Sequence, residues 1–166
     1  MMNDKLSSML NNSILLELNV GKLYRLFYET FPDHKKFWWQ LHLEEENHAS
    51  LIRSIKEHFE PIGKAPDDLL SSNLQRLQDS NATIISLIDR YTETAPSAEE
   101  AFNVALKLEL TAGEIHYQDF MNKDQSSILN KTFQKLNQDD KNHAARLCAY
   151  MEHTNIAIND EFKECC

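Results

Sequence analysis

Apolar side chains recur every three to four residues from Lys5 to about Thr30, with Leu10, Ile14, Val20, Tyr24 and Phe27 or Tyr28 on one stripe. That period predicts an amphipathic helix, A, over about 5–30. Pro32 and Asp33 interrupt it. Proline suits a first helical turn and aspartate its positive end, so a second helix, B, is expected over about 33–59. Residues 60–80 hold two prolines and a glycine and are only weakly periodic, while Ala82 to Tyr91 reads as a short helix lying across the rest. After Pro96, Ser97-Ala98-Glu99-Glu100 has the form of a capping box, in which serine and glutamate satisfy each other's open backbone donors. Helix C is expected from there over about 98–121. Asn122-Lys123-Asp124 breaks the pattern, and helix D follows over about 125–153 before a polar tail. A joins B and C joins D through a few residues each, so each pair is expected to be an antiparallel hairpin. The connector at about 60–97 is long enough to span a bundle. The expectation is an all-α chain, one domain over 1–166, built as an antiparallel four-helix bundle with one long crossover between B and C.

Composition narrows the function classes. Three Gly and four Pro among 166 residues, with 42% hydrophobic and 26% charged side chains, leave little turn material for a many-stranded β fold. A net charge of -9 has the wrong sign for neutralising phosphates, so neither nucleic acid nor an anionic membrane surface is expected as a partner. No apolar run approaches the roughly 20 residues of a membrane helix, and Met1 to Leu10 lacks the apolar block of a signal peptide. The expected location is therefore cytoplasmic. Cys148, Cys165 and Cys166 form neither an even disulfide set nor a spaced metal motif. They suit a reducing compartment, with Cys148 as a small core residue.

An internal repeat carries the candidate chemistry. Leu16-Glu17-Leu18-Asn19-Val20-Gly21 matches Leu108-Glu109-Leu110-Thr111-Ala112-Gly113, and Glu45-Glu46-Asn47-His48-Ala49 matches Asp140-Lys141-Asn142-His143-Ala144. In the second match an acid and a histidine three residues apart share a helical face. An acid-x-x-His pair is weak alone in so acidic a chain; register strengthens it. Glu17 lies 15 residues before Pro32 and Glu45 13 after it, so both stand roughly 20 Å from one end of the A–B hairpin. Glu109 and Asp140 stand 15 before and 16 after Asp124, roughly 23 Å from the corresponding end of C–D. All four acids can thus meet at mid-bundle. Each sits on an apolar stripe, between Ile14 and Val20, beside Leu41 and Ala49, between Leu106 and Ala112, and between Leu136 and Leu147 respectively. Burying four carboxylates together costs several kcal/mol each unless cations neutralise them, and two divalent ions supply the missing charge. With His48 and His143 the donor set mixes oxygen and nitrogen, which suits iron, manganese or zinc better than calcium or magnesium. Gly21 and Gly113, one turn past Glu17 and Glu109, are read as making room near the site.

A glutamate on A and C with an acid-x-x-His pattern on B and D resembles the ligand set of the di-iron carboxylate proteins. The segment from Leu16 to Ile52 is similar to the first hairpin of rubrerythrin-like proteins of the ferritin superfamily, and the likeness covers the bundle but not the tail. The resemblance implies a ferritin-like fold and a non-haem centre of two iron ions, with manganese or zinc as alternatives. That centre would react with hydrogen peroxide or dioxygen as a peroxidase or ferroxidase, in oxidative-stress defence or iron handling. Glu45 and Asp140 would bridge the metals, His48 and His143 would each bind one ion, and Glu17 and Glu109 would complete the set. Three departures bear on this. Ala112 stands where rubrerythrins carry a further glutamate. Asp140 stands where glutamate is usual. No rubredoxin-like domain with paired cysteines follows, so an external electron donor is implied. A homodimer is compatible with this picture. The competing expectations are a non-catalytic iron-binding or iron-storage protein, and a helical interaction module whose site is vestigial.

Other residues receive plainer readings. Tyr24 and His116, each seven residues after a candidate glutamate, are expected to pack, as are Trp38 and Trp39. His42 is expected to be a satisfied or partly exposed histidine, with a role in orienting a ligand as the alternative. Glu44, Glu46 and Glu114 are expected to face water.

Overall fold

The computed structural model describes the backbone of residues 4–59, 74–121 and 128–166, and the side chains of these other than 4–6, 59, 112–121, 128–130, 133 and 137. Helix α1 spans Asp4–Thr30, and a 3-10 turn at Pro32–His34 leads into α2, Lys35–Phe59. Helix α3 spans Leu74–Glu93, α4 Ala98–Met121 and α5 Ile128–His153, and a second 3-10 turn lies at Asp160–Phe162. The chain is all-helical, with no strand among the described residues. It divides into two compact units, Met1–Glu93 and Thr94–Cys166. The predicted helices A, B and C match α1, α2 and α4 to within two residues; α5 matches D where it is described, residues 125–127 lying outside the described set.

In the first unit α1 and α2 form the expected antiparallel hairpin. Phe31 caps α1 by donating to the Phe27 carbonyl, and His34 donates to Phe31 within the turn. Trp38 then packs against Phe27 and Tyr24, with ring centroids 4.9 and 5.6 Å apart, and all three rings are fully buried. Farther from the turn, Leu23, Leu41, Ala49 and Ile52 continue the core. The third helix corrects one expectation. Predicted as a short helix from Ala82 to Tyr91 lying across the bundle, it is 20 residues long and runs parallel to α1, with Phe27 against Tyr91 at one end and Asn12 and Asn19 against Asn81 toward the other. Its buried positions Leu77, Asn81, Ile84, Ile88 and Tyr91 alternate spacings of four and three, but a polar residue interrupts the stripe and hid its first half.

That polar residue is satisfied. Asn81 Nδ2 donates to the Asn12 and Leu77 carbonyls, each at 3.0 Å, and its Oδ1 accepts from Asn19 Nδ2 at 2.8 Å. The pairing fixes the register of α3 on α1, because a buried amide has to find its partners.

The second unit is the α4–α5 hairpin with the tail folded onto it. The Glu100 amide donates to Ser97 Oγ at 3.0 Å, the expected N-cap. Phe102 stacks on Tyr150 with centroids 5.4 Å apart. Helix α5 ends at His153, and in the turn that follows Asn155 has a φ of 55°, which asparagine tolerates, while the Ile156 amide reaches back to the Met151 carbonyl at 2.9 Å. The tail then turns back to α4. Buried Asn103 donates to the Ala157 carbonyl and accepts from the Asn159 amide, both at 2.8 Å, and Phe162 is buried. Replacing Asn81 by alanine is expected to cost about 1–3 kcal/mol in urea denaturation, because it strands the Asn19 amide and the Asn12 carbonyl. The paired change Asn19→Leu with Asn81→Leu should cost less than the two single changes summed.

Candidate metal centre

Glu17 reaches the interior because it occupies the buried stripe of α1 between Ser13 and Val20. On α2 the same logic buries Glu45 and His48, one turn apart, between Leu41 and Ala49. The antiparallel hairpin sets Glu17 opposite this pair. His48 Nδ1 lies 3.2 Å from Glu45 Oε2, within hydrogen-bond reach, and 3.6 Å from Glu17 Oε2. One donor atom from each of the three residues lies within 4.8 Å of the others, close enough to share one ion.

Close approach of the two backbones makes this possible. A Cβ on Gly21 would stand 3.3 Å from Glu45 Cβ and 3.6 Å from the His42 carbonyl oxygen, so the missing side chain lets α2 lie against α1 beside the acids. His42 is buried with Nδ1 2.9 Å from the Gly21 carbonyl, tying the helices together one turn from both glutamates. It is a satisfied histidine that joins the two helices beside the site.

The second unit buries the matching residues. His143 Nδ1 on α5 lies 3.3 Å from Glu109 Oε2 on α4, and Asp140 precedes His143 by one turn; all three residues are buried. The structure therefore places every predicted site residue inside, three in each unit. Ala112, Gly113, Glu114 and His116 have side chains outside the described residues.

Among the other candidates, Trp38 and Tyr24 are core residues, whereas Trp39 is 41% exposed and lies against Tyr28 and His42. Glu46 faces water as expected, but Glu44 is half-buried. The cysteines overturn a further expectation: Cys148 and Cys166 are joined in a disulfide with their Cα atoms 5.4 Å apart, and only Cys165 is free. An odd cysteine count hid the pair, and the folded-back tail brings it together across 18 positions.

Electrostatics describe what the first cluster needs. Burial pushes the His48 imidazole down, but the hydrogen bonding and charge of Glu17 and Glu45 outweigh it and push the pKa up to about 11 from 6.5. An imidazolium between two carboxylates leaves one negative charge in the core. A divalent ion with neutral histidine would leave none, so the donor set is compatible with a metal ion.

Comparisons with family models, curated proteins and solved structures find no match for this chain.

The raised His48 pKa contributes one definable part of the pH response of the metal-free protein. The native state holds this proton more tightly than the unfolded state, so its stabilisation is complete below pH 6.5 and is lost as pH rises toward about 11. With chelator present, the urea midpoint should fall across that window, this group contributing at most about 1.4 kcal/mol per pH unit. His48→Gln should remove that part of the slope.

Proposed function

We propose that the chain binds two divalent transition-metal ions, iron in the first place and manganese or zinc otherwise, and acts as a dinuclear oxidoreductase toward hydrogen peroxide or dioxygen. The observation that carries the proposal is the convergence of Glu17, Glu45 and His48, all buried, with donor atoms within 4.8 Å. Recurrence of the same residue types at Glu109, Asp140 and His143 supports a second ion. Glu17, Glu45 and His48 would hold one, and Glu109, Asp140 and His143 the other. That both belong to one dinuclear centre in a ferritin-like four-helix arrangement rests on the sequence register of the four acids and on the resemblance to rubrerythrin-like proteins. When bound, two iron ions supply two one-electron couples, the number that reduction of a peroxide to water consumes.

The chain's own residues have definable tasks in this scheme. The four carboxylates give the oxygen-rich, anionic donor set that stabilises higher oxidation states. His48 releases its proton as an ion enters. Gly21 and His42 hold the helices at the separation the ligands require, and the Trp38, Tyr24 and Phe27 cluster closes the hairpin end against water. An external electron donor completes the cycle, and the cytoplasm is the proposed compartment. No described helix is long and apolar enough to cross a membrane.

A metal-free alternative has one observation in its favour: protonated His48 already compensates part of the buried charge, so the first cluster could serve as a structural ion triad. Metal analysis separates the two. Reconstituted wild-type protein should hold about two ions per chain, with Glu17→Ala, Glu45→Ala and Glu109→Ala each lowering the content sharply and Glu44→Ala leaving it intact. Rapid mixing of the ferrous protein with peroxide should give stoichiometric oxidation. Folded wild-type protein that takes up no metal would establish the structural triad instead.

A further inference from the structure

The C-terminal tail ends in two adjacent cysteines, one bonded to the core of α5 and the other free and exposed. We propose that Cys148, Cys165 and Cys166 form a thiol–disulfide exchange site whose substrate is a dithiol reductant, and whose reduction cuts the tail's covalent tie to α5 and loosens the turn at Phe162–Cys166. This site stands independently of the metal proposal.

Three observations converge on it. The Cys148–Cys166 bond joins a buried residue to an exposed one, so Cys166 is the side open to attack by an external thiol. Cys165 cannot easily replace the lost partner by bonding to Cys166. Neighbouring Cα atoms stand about 3.8 Å apart across a trans peptide, short of the roughly 4.4 Å at which disulfides begin. Whichever of the two is joined to Cys148, the other is left as a thiol beside the bond. Finally, the disulfide closes a strap. Between Thr154 and Cys166 the tail is otherwise held by the Asn103 bonds to Ala157 and Asn159 and by the buried Phe162 ring, whose carbonyl accepts from the Cys165 and Cys166 amides. This strap borders a cavity of about 380 Å³ against α4, lined in part by Glu99, Asn103, Lys107 and Phe162.

The exchange balances as a two-electron transfer. A thiolate of the reductant attacks Cys166 Sγ, the bond to Cys148 breaks, and Cys148 leaves as a thiolate that takes up a proton. The second thiol of the reductant attacks the mixed disulfide, Cys166 leaves as a thiolate, and the reductant departs as its own disulfide. A dithiol is required because the folded tail holds Cys148 near Cys166 at high effective concentration, so a monothiol adduct is expelled before a second molecule arrives.

Alkylation and mass measurement on the native protein test this. The air-oxidised chain should show one reactive thiol, and treatment with dithiothreitol without denaturant should raise the count to three, whereas an equal concentration of a monothiol should give far less. Cys166→Ser should form the alternative Cys148–Cys165 bond on air oxidation, identified by peptide mapping, and Cys165→Ser should keep the native one. Reduction should speed amide exchange at Phe162, Cys165 and Cys166 by about tenfold or more, since local opening governs that rate. A count that stays at one under native reduction, two persistent thiols in Cys166→Ser, or unchanged amide exchange would each overturn the proposal.

Discussion

A carboxylate taken out of water needs a positive charge beside it, and the interior of the α1–α2 hairpin is arranged around that need. Glu17 and Glu45 lie on stripes that would otherwise be wholly apolar, and His48 is placed to answer both. An uncompensated pair would be far costlier than any packing defect, because the desolvation of an ion exceeds the loss of a few methylene contacts. The neighbouring features then follow. Gly21 lacks the side chain that would separate the helices at this level, His42 holds the buried carbonyl of that close approach, and a fully buried aromatic cluster fixes the hairpin toward its turn.

The two units share this plan but complete their cores differently. A two-helix hairpin has more apolar surface than its own partner helix can cover. In the first unit α3 supplies the cover for α1, with the Asn19–Asn81 pair setting its register. In the second the folded-back tail lies against the first half of α4, held by Asn103, Phe162 and the disulfide. The repeat in the sequence therefore marks what is common to the hairpins, whereas the elements that differ are those each hairpin recruits.

How far these features could be read from the chain depends on whether their cause is local. Periodicity places α1, α2 and α4 closely because proline, serine and aspartate signals stand at their ends. The burial of the six candidate residues was legible because an acid on an apolar stripe contradicts its surroundings, and because the two halves of the chain carry the same contradiction at matching positions. Helix α3 was half hidden because Asn81 is polar in composition but buried in fact, and only its partners Asn12 and Asn19, more than sixty positions away, explain it. The Cys148–Cys166 bond was invisible for the same reason: it depends on a chain reversal at Asn155 that brings the tail back, which no spacing rule encodes.

The same pair of carboxylates that raises the His48 pKa would, on the proposed reading, also bear on which ion displaces its proton. At neutral pH an incoming metal would have to remove a proton that the two carboxylates hold well above the usual histidine range, which would oppose binding. Yet the proton is held by the field of Glu17 and Glu45, and a divalent ion meets that field with twice the charge while gaining the nitrogen donor. Hard ions that gain little from imidazole would still have to displace the proton, whereas borderline ions are compensated by the nitrogen bond. On the proposed reading the proton would act as a placeholder, offsetting part of the buried charge of Glu17 and Glu45 until an ion of the iron, manganese and zinc class took its place.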